Sequence, residues 1–424
     1  MYEQTINAGI HVGKNAGTKL TYEMFVLVGL ILVYIGRVQE VFGFLIPLRV
    51  GLIFQILAIP VMVKLSGKQE LRFFNTGVPE INLLVALFGY GLTAALFSHY
   101  LRASITFMFS NFFRNLMFFV LVVSVIKTAK DLKKAVWSYI LGILILAIPA
   151  VFSHSAGRWE SLDGSYDPND LALLFVTTLP FVIRLLPVSR GLLKIVLVLA
   201  IPALLVALVA TGSRGGFLGL IAVTATLLFR CRMSLFRKAA VVAAIILACY
   251  FLLPGSYYER VSTIGHEDYN QTDNFGRVNI WKRSVGLLAD NPVFGVGPGC
   301  FAIASGFAFA SEVGGAAWDM TAHNSFLLIT VEMGVVGGGL YLTFLLRNLV
   351  SMLRIQKEVD AADRHLWFAR ALEAAIVGFL VSGFFLSFCY QPVSYFLVAL
   401  GVAYRNTLSA EDRPAISGWT TVAT

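Results

Sequence analysis

The chain has 424 residues, of which 58% are hydrophobic and only 13% are charged. Soluble domains contain about 45–50% apolar and about 25% charged residues, so this composition excludes an ordinary soluble enzyme and a disordered chain. The net charge of +9 would suggest nucleic-acid binding in a soluble protein. In a membrane protein it predicts basic residues concentrated on the cytoplasmic side.

Windows of about 20 apolar residues, the length needed to cross a bilayer, predict an all-α polytopic membrane protein with about twelve spans, within a range of eleven to thirteen. The first apolar stretch is too long for a signal peptide and lacks its cleavage site, so we expect the chain to be inserted whole. The predicted spans lie near 22–38, 42–63, 80–99, 104–126, 135–153, 169–187, 191–211, 215–229, 236–254, 323–346, 371–388 and 390–404.

Most of the 33 Lys and Arg residues fall in segments that share one side when both termini are cytoplasmic, as the positive-inside rule requires. This orientation divides the chain into spans one to nine at 1–254, a long outer loop with short helices at 255–322, and spans ten to twelve with a cytoplasmic tail at 323–424. A second outer loop lies near 154–168. A loop as long as 255–322 is usually functional when it lies within a compact chain.

The predicted sixth span opens with the sequence Asp167-Pro168-Asn169-Asp170. Either Asp167 or Asn169 is a suitable N-cap for the helix that follows. A cap is a purely structural role, and the functional alternative is a polar group that helps to hold an acceptor hydroxyl.

Between the seventh and eighth spans, the run from Thr211 to Gly216 reads Thr-Gly-Ser-Arg-Gly-Gly and predicts a very short outer turn. Glycine lets the backbone approach a ligand closely, and the planar fork of Arg214 suits phosphate oxygens. The alternative is a tight helix hairpin whose arginine only reaches the membrane interface.

In the long outer loop, a helical stretch is predicted from Gly276 to Leu288, and Arg277 and Trp281 share one of its faces because they are four residues apart. A guanidinium beside an interfacial indole suits the sugar–phosphate end of a lipid. A surface amphipathic helix with an ordinary cation–π pair is the alternative. The glycines that follow Asn291-Pro292 predict a series of turns, because their spacing does not fit a dinucleotide fingerprint.

His323 lies where the long outer loop enters the tenth span. Histidine is the side chain best suited to proton transfer near neutral pH, although a lone histidine at a helix start is also a common cap or core residue. Glu332 lies nine residues after His323 and therefore on a different face of that span. We expect Glu332 to have a structural role near Gly334, where small residues permit close helix packing.

Taken together and in this order, these motifs resemble the O-antigen ligase family, which includes O-antigen and exopolysaccharide polymerases and some protein O-oligosaccharyltransferases. The resemblance covers about residues 165–345. It implies a C-type glycosyltransferase fold with no metal and no other cofactor, acting on the periplasmic side of the bacterial inner membrane. The implied partners are an undecaprenyl-diphosphate-linked glycan donor, a glycan or lipid A–core acceptor and membrane lipids, without nucleic acid.

By motif, Arg214 and Arg277 correspond to arginines thought to hold the donor diphosphate, and His323 corresponds to the proposed base. Arginines can neutralise a diphosphate leaving group without a metal, and a neutral histidine can accept the proton of the acceptor hydroxyl. A single displacement of this kind inverts the anomeric centre. Further candidates for substrate binding are Arg283, Trp281, Asp167 and Arg158.

The sequence leaves the acceptor open. Ligation to lipid A–core and repeat-unit polymerisation share these motifs, and protein glycosylation is a third possibility, although no added acceptor-recognition domain follows the last span. The alternative from another class is a transporter or flippase for lipid-linked glycans. Such a protein should carry charges near the bilayer midplane, where the clear examples are Arg49, Arg114 and Glu332.

Overall fold

The structure is a computed structural model that describes residues 20–67, 78–152, 166–231, 233–240, 243, 276–313, 321–358 and 366–408. These residues form helices and turns, with no strand among them. Short helical turns lie at Val38–Val41, Gly43–Leu45 and Leu186–Val188. The longer helices are α1 (Tyr22–Tyr34), α2 (Val50–Gly67), α3 (Pro79–Leu96), α4 (Leu101–Val125), α5 (Ala129–Phe152), α6 (Pro168–Leu185), α7 (Leu192–Thr211), α8 (Arg214–Phe229), α9 (Arg277–Asp290), α10 (Phe301–Val313), α11 (Ser325–Glu358), α12 (Leu366–Gly383) and α13 (Pro392–Thr407).

Eight of the described helices, α2 to α7 together with α11 and α12, are long and apolar enough to cross a membrane. The predicted all-α polytopic architecture is confirmed. The predicted spans near 22–38 and 215–229 correspond to α1 and α8, which are apolar but shorter, and most of the predicted span at 236–254 lies outside the described residues. The helix expected to begin near residue 42 begins at Val50, after a segment in which Pro47 removes a backbone donor.

Burial separates central helices from peripheral ones. In α6 nearly every residue from Leu171 to Val182 is buried, as expected for a helix that is apolar on all sides and enclosed by other helices. By contrast, α2 exposes Leu52, Ile56 and Ile59, which suits a helix that faces lipid. The core is therefore built around α6, with α8 and α12 packed against it.

Small residues allow α8 and α12 to pack closely. A Cβ at Gly219 would lie 2.0 Å from Ser382 Oγ, and a Cβ at Gly378 would lie 2.7 Å from Val223 Cγ2. A side chain at either glycine would clash with the facing helix, so the two helices can pack this closely only because these positions are glycine. This packing fixes the start of α8 relative to the end of α12.

The helices alternate in direction, so the bundle has two ends of different composition. We call the end where α6, α8, α11 and α13 begin the motif end, because Asp167, Arg214 and His323 lie there. The opposite end, where these helices finish, is the far end, and it holds Arg230 and Arg405. The candidate site is built entirely from elements of the motif end and from α9.

Candidate active site

The loop formed by residues 384–391, between α12 and α13, contacts two of the predicted motifs. A Cβ at Gly215 would lie 2.9 Å from the Cβ of Phe385, so the start of α8 rests directly on this loop. Trp281 of α9 packs edge-on against Phe384, with the ring centroids 5.6 Å apart. The 384–391 loop therefore brings the segments that carry Arg214 and Arg277 to the same place.

The same loop holds the segment around His323. The backbone N–H of His323 donates to Ser387 Oγ at 2.9 Å. Ser325 Oγ donates to the carbonyl of Leu386 at 2.6 Å and accepts the N–H of Phe388 at 2.8 Å. Three hydrogen bonds thus fix the start of α11 to the 384–391 loop, and with it the position of His323.

His323 has an uncommon backbone conformation, with φ at +47°. For a residue other than glycine this left-handed conformation is rarely populated, and at functional sites it is maintained by the surrounding structure. Here the bond to Ser387 on one side and the capped helix on the other maintain it, since the Asn324 side chain accepts the backbone N–H groups of Phe326 and Leu327, each at 3.0 Å. The imidazole is half-buried, and its Nε2 lies 3.0 Å from Thr321 Oγ1.

Arg214 is the first residue of α8, directly after a two-residue turn. Helix α7 ends at Thr211, Gly212 adopts a left-handed conformation with φ at +58°, and Ser213 caps α8 by accepting the N–H of Gly216 at 3.1 Å. Glycine at the position after a helix end and serine at an N-cap are both favoured. The short turn predicted from the sequence is therefore present, and it places Arg214 at the motif end.

The start of α6 lies beside the start of α8. Asp167 caps α6, because its Oδ1 accepts the N–H groups of Asn169 and Asp170 at 2.6 and 2.8 Å, and Asp170 accepts the N–H of Asp167 in return. Asn169 Oδ1 then accepts the hydroxyl of Ser213 at 2.8 Å. Two motifs that are 44 residues apart in sequence are thus joined by a buried hydrogen bond.

Arg277 is the first residue of α9, and Trp281 anchors that helix to the site. The indole Nε1 donates to the carbonyl of Ala322 at 2.9 Å, next to His323. Arg277 is half-buried and shares the face of Trp281, because the two are four residues apart. The helical stretch predicted between Gly276 and Leu288 corresponds to α9.

Both arginines that are predicted to bind the diphosphate occupy the first position of a helix. A helix start carries a partial positive charge and backbone N–H groups that point away from the helix, which makes it suitable for anions and unfavourable for cations. An arginine at each of two helix starts therefore adds positive charge where the helices already supply it. This arrangement suits a ligand that carries several negative charges.

The glycine series after α9 is a buried structural loop. Gly295, Gly297 and Gly299 all have positive φ values, as has Gly334 within α11. A Cβ at Gly334 would lie 1.7 Å from the Val293 carbonyl oxygen, so the loop packs directly into this interruption of α11. The glycines therefore form the turns that the sequence predicts.

The carboxylate of Glu332 holds this loop in place. It accepts the backbone N–H of Gly299 and that of Phe301, each at 2.9 Å, and it is buried. The backbone of the same helix segment accepts the N–H groups of Val296 and Gly297. Glu332 thus has the structural role expected for it, and it ties the chain between α9 and α10 to the helix that begins beside His323.

Two residues that the sequence did not predict, Arg37 and Tyr166, also lie at the motif end. The guanidinium of Arg37 lies 4.3 Å from the centre of the Tyr166 ring and pairs with Glu40 at 2.8 Å. Tyr166 also packs against Phe388 of the 384–391 loop, with centroids 5.9 Å apart. Burial raises the pKa of the Tyr166 phenol to about 12, so it stays neutral. The positive φ of Arg37 is the structural sign of this position, and it is not visible in the sequence.

Two further candidates do not join this cluster. Arg283 lies two residues beyond Trp281 and so on another side of α9, where its guanidinium donates to Glu312 at 3.3 Å and lies 5.2 Å from the Phe309 ring centre. Arg158 lies outside the described residues. In the part of the chain that the structure describes, no group of three or more His, Cys, Asp or Glu side chains is arranged to hold a metal ion.

Residues 195–342 match a family model that is described as O-antigen ligase. The matched part, less than half of the chain, is therefore similar to the O-antigen ligase family. The family predicted from the sequence is confirmed. No curated protein matches the chain.

The O-antigen ligase domain contains Arg214, Arg277 and His323. The start of α6 and the 384–391 loop lie outside the matched residues, but both contact them, through Asn169 and Ser387 respectively. The site is therefore completed by chain segments on either side of the domain. Of these two segments, the sequence indicates only the first, through its Asp-Pro-Asn-Asp motif. The 384–391 loop carries no charged residue that would mark it as part of a site.

Proposed function

We propose that the protein is a membrane glycosyltransferase that moves a glycan from undecaprenyl diphosphate to an acceptor hydroxyl. The observation that carries this proposal is the meeting of two arginine-bearing helix starts with His323 at the 384–391 loop. The match of residues 195–342 to the O-antigen ligase model supports a reaction of this type. The acceptor is lipid A–core in a ligase and a second lipid-linked glycan in a polymerase.

The arginines have the chemistry required by the leaving group. As the bond between the anomeric carbon and the diphosphate oxygen breaks, negative charge grows on the diphosphate. Arg214 and Arg277, with the positive ends of α8 and α9, stabilise this charge, and a planar guanidinium can donate two hydrogen bonds to one phosphate. The diphosphate then leaves as an anion that needs no proton, so the reaction is proposed to be independent of a metal ion.

His323 is proposed as the base. The acceptor oxygen forms its bond to the anomeric carbon from the side opposite the diphosphate, and its proton passes to a ring nitrogen of His323. The configuration at the anomeric carbon is therefore inverted. The bond between the His323 backbone and Ser387 supports this role, because a base must be held in a fixed position relative to the acceptor.

The distribution of basic residues supports an orientation with both termini in the cytoplasm. In this orientation the motif end faces the periplasm across the bacterial inner membrane. Lipid-linked glycan and acceptor would then meet at the outer surface of the membrane domain, where the starts of α8 and α9 lie.

The test is an assay of the purified full-length protein in lipid nanodiscs with radiolabelled undecaprenyl-diphosphate-linked glycan. Lipid A–core is supplied in one arm and a second lipid-linked glycan in the other, and released undecaprenyl diphosphate and glycan product are measured. A ligase should yield labelled lipid A–core in the first arm only, whereas a polymerase should yield elongated lipid-linked glycan in both arms. We expect turnover that survives EDTA and a fall of about 10²–10⁴-fold in His323→Ala, the range typical of a lost general base.

The matched control is His99→Ala, which removes an exposed histidine and should leave turnover unchanged. Normal turnover by His323→Ala would exclude the base assignment. Movement of lipid-linked glycan across sealed vesicles, without any glycan product, would instead support the transporter alternative and contradict the proposed transfer.

A further inference from the structure

A polar groove lies between α9 and α10, on a side of α9 that does not face the 384–391 loop. Its volume is about 440 Å³. The residues contributed by α9 recur every three or four positions, so they form one stripe along the helix. The groove is lined by Asn279, Lys282, Arg283, Gly286, Leu287, Asp290, Ala308 and Glu312.

Arg283 forms the base of the groove, where two neighbouring side chains hold its guanidinium. Arg283 is only 7% exposed, and its guanidinium is held between the Glu312 carboxylate at 3.3 Å and the Phe309 ring at 5.2 Å. A planar donor that is fixed by two neighbours loses little conformational entropy when it binds a ligand. Arg283, a predicted substrate-binding residue, thus lines a groove that is separate from the suspected diphosphate position.

Gly286 supplies a second, independent observation. It lies in the interior of α9 and is exposed, and a Cβ at this position would meet no atom within 4 Å. Its φ is not in the left-handed region, so neither packing nor backbone geometry requires glycine, which destabilises a helix interior relative to alanine. The missing side chain does have one effect, which is to leave the middle of the groove open.

We propose that this groove binds an oligosaccharide. Its lining combines cationic, anionic and amide side chains, which together offer both donors and acceptors for hydroxyl groups. The adjacent carboxylates of Asp290 and Glu312 disfavour a phosphate, and the polar lining disfavours a lipid tail. From Asn279 to Asp290 the helix rises about 16 Å, which suits a short oligosaccharide rather than one sugar.

The position of the groove connects it to transfer. Its end at Asn279 lies in the same first turn of α9 as Arg277, although the two side chains leave the helix on different sides. The bound oligosaccharide can therefore belong either to the donor, attached to the diphosphate, or to the acceptor. The proposal that the oligosaccharide comes from the donor or the acceptor rests on the proposed function. Binding of an oligosaccharide to the groove does not, because it requires no transfer reaction.

The experiment uses the full-length protein in nanodiscs and two lipid-free probes. One probe is the oligosaccharide released by mild acid from the host's undecaprenyl-diphosphate-linked glycan, and the other is the core oligosaccharide released from its lipid A–core. Calorimetry measures the Kd of each probe for wild type, Gly286→Phe, Gly286→Ala and the double variant Lys282→Met/Asp290→Asn. Gly286→Ala is the matched control, because it adds one methyl group and leaves most of the groove open.

We expect at least a tenfold weaker Kd for one probe in Gly286→Phe and in the double variant, and a change of less than twofold in Gly286→Ala. The probe that responds identifies the donor or the acceptor as the source. Wild-type affinity of Gly286→Phe for both probes, or no binding of either probe to the wild type, would overturn the proposal. Groove-dependent binding by a wild-type protein that releases no undecaprenyl diphosphate would instead contradict only the proposed function.

Discussion

The two ends of the bundle use carboxylates differently. At the far end they pair with arginines of other helices. Glu373 of α12 is bound by Arg230 through contacts of 2.8 and 3.0 Å. Glu80 of α3, fully buried, accepts from Arg405 of α13 at 2.8 Å. These ion pairs connect helices that are distant in sequence.

At the motif end, the carboxylates of Asp167 and Glu332 accept backbone N–H groups instead. They shape a helix start and a glycine loop. Two ion pairs are exceptions on this side: that of Arg37 with Glu40 lies within one short segment of chain, and that of Arg283 with Glu312 joins α9 to α10. Arg214 and Arg277 lie at helix starts, where the helix ends already carry partial positive charge.

We infer from this difference that the far end mainly stabilises the bundle and propose that the motif end carries the site. A buried ion pair is costly to break, because the remaining charge is left without compensation. A site that binds an anion must keep a positive electrostatic potential. Carboxylates that accept hydrogen bonds from the backbone lower this potential less than carboxylates that pair directly with the arginines. Substitutions of arginine should therefore have opposite consequences at the two ends.

The largest effect on stability should come from Arg405→Ala at the far end. It removes the bidentate partner of Glu80, which is left with Arg347 at 3.5 Å. We expect a loss of about 3–5 kcal/mol in the free energy of unfolding, as for other broken buried pairs, measured by SDS titration of the full-length protein. Transfer by the molecules that remain folded should be unchanged.

Arg405→Lys serves as the matched control, because it keeps the charge but not the planar fork, and its loss should be smaller. Wild-type stability in Arg405→Ala would contradict the assignment of a stabilising role to the far end. A specific loss of transfer without a loss of stability would contradict the functional difference between the two ends.

The next effect, at the motif end, is on transfer. Arg214→Ala and Arg277→Ala should each reduce turnover about 10²–10³-fold, as for the removal of one preorganised donor to a developing anion. The free energy of unfolding should change by no more than about 0.5 kcal/mol, which is usual for substitutions outside the core. Radiolabelled transfer and SDS titration on the same preparation measure both quantities.

Arg190→Ala, which removes an exposed arginine beyond the end of α6, should affect neither quantity. If Arg214→Ala retains turnover, or if its lost turnover is explained by unfolding, then the guanidinium does not act on the diphosphate. Arg214→Lys should give an intermediate turnover, because an ammonium group cannot form the paired contacts of a guanidinium.

Local sequence signals were sufficient for much of the fold. The turn between α7 and α8 was predictable because Gly212 and Ser213 have the residue types that end and begin helices. Long apolar windows likewise identified α3 to α7, α11 and α12. These features depend on residues that are neighbours in sequence, so their physical causes can be read without the tertiary structure.

The parts that escaped prediction depend on contacts across long separations. Ser387 is 64 residues from His323, and nothing in the polar and aromatic sequence of the 384–391 loop indicates that it holds this backbone. Arg283 is similar, because its partner Glu312 is 29 residues away on a helix that the sequence assigned to a loop. The shared helix face of Arg277 and Trp281 followed from their spacing, whereas the position of α9 depends on its contacts with the rest of the bundle.

The smallest effect should come from Asp167, which was predicted to be either a helix cap or a group that holds the acceptor. Its carboxylate already accepts two N–H groups of α6, so Asp167→Ala should cost about 1 kcal/mol of unfolding free energy. Asp167→Asn should restore it, because asparagine is an equally good cap. If Asp167→Asn has wild-type stability and wild-type turnover, the residue acts as a cap. Lost turnover at restored stability would mean that the charge itself contacts the substrate, and the carboxylates of the motif end would then serve catalysis as well as structure.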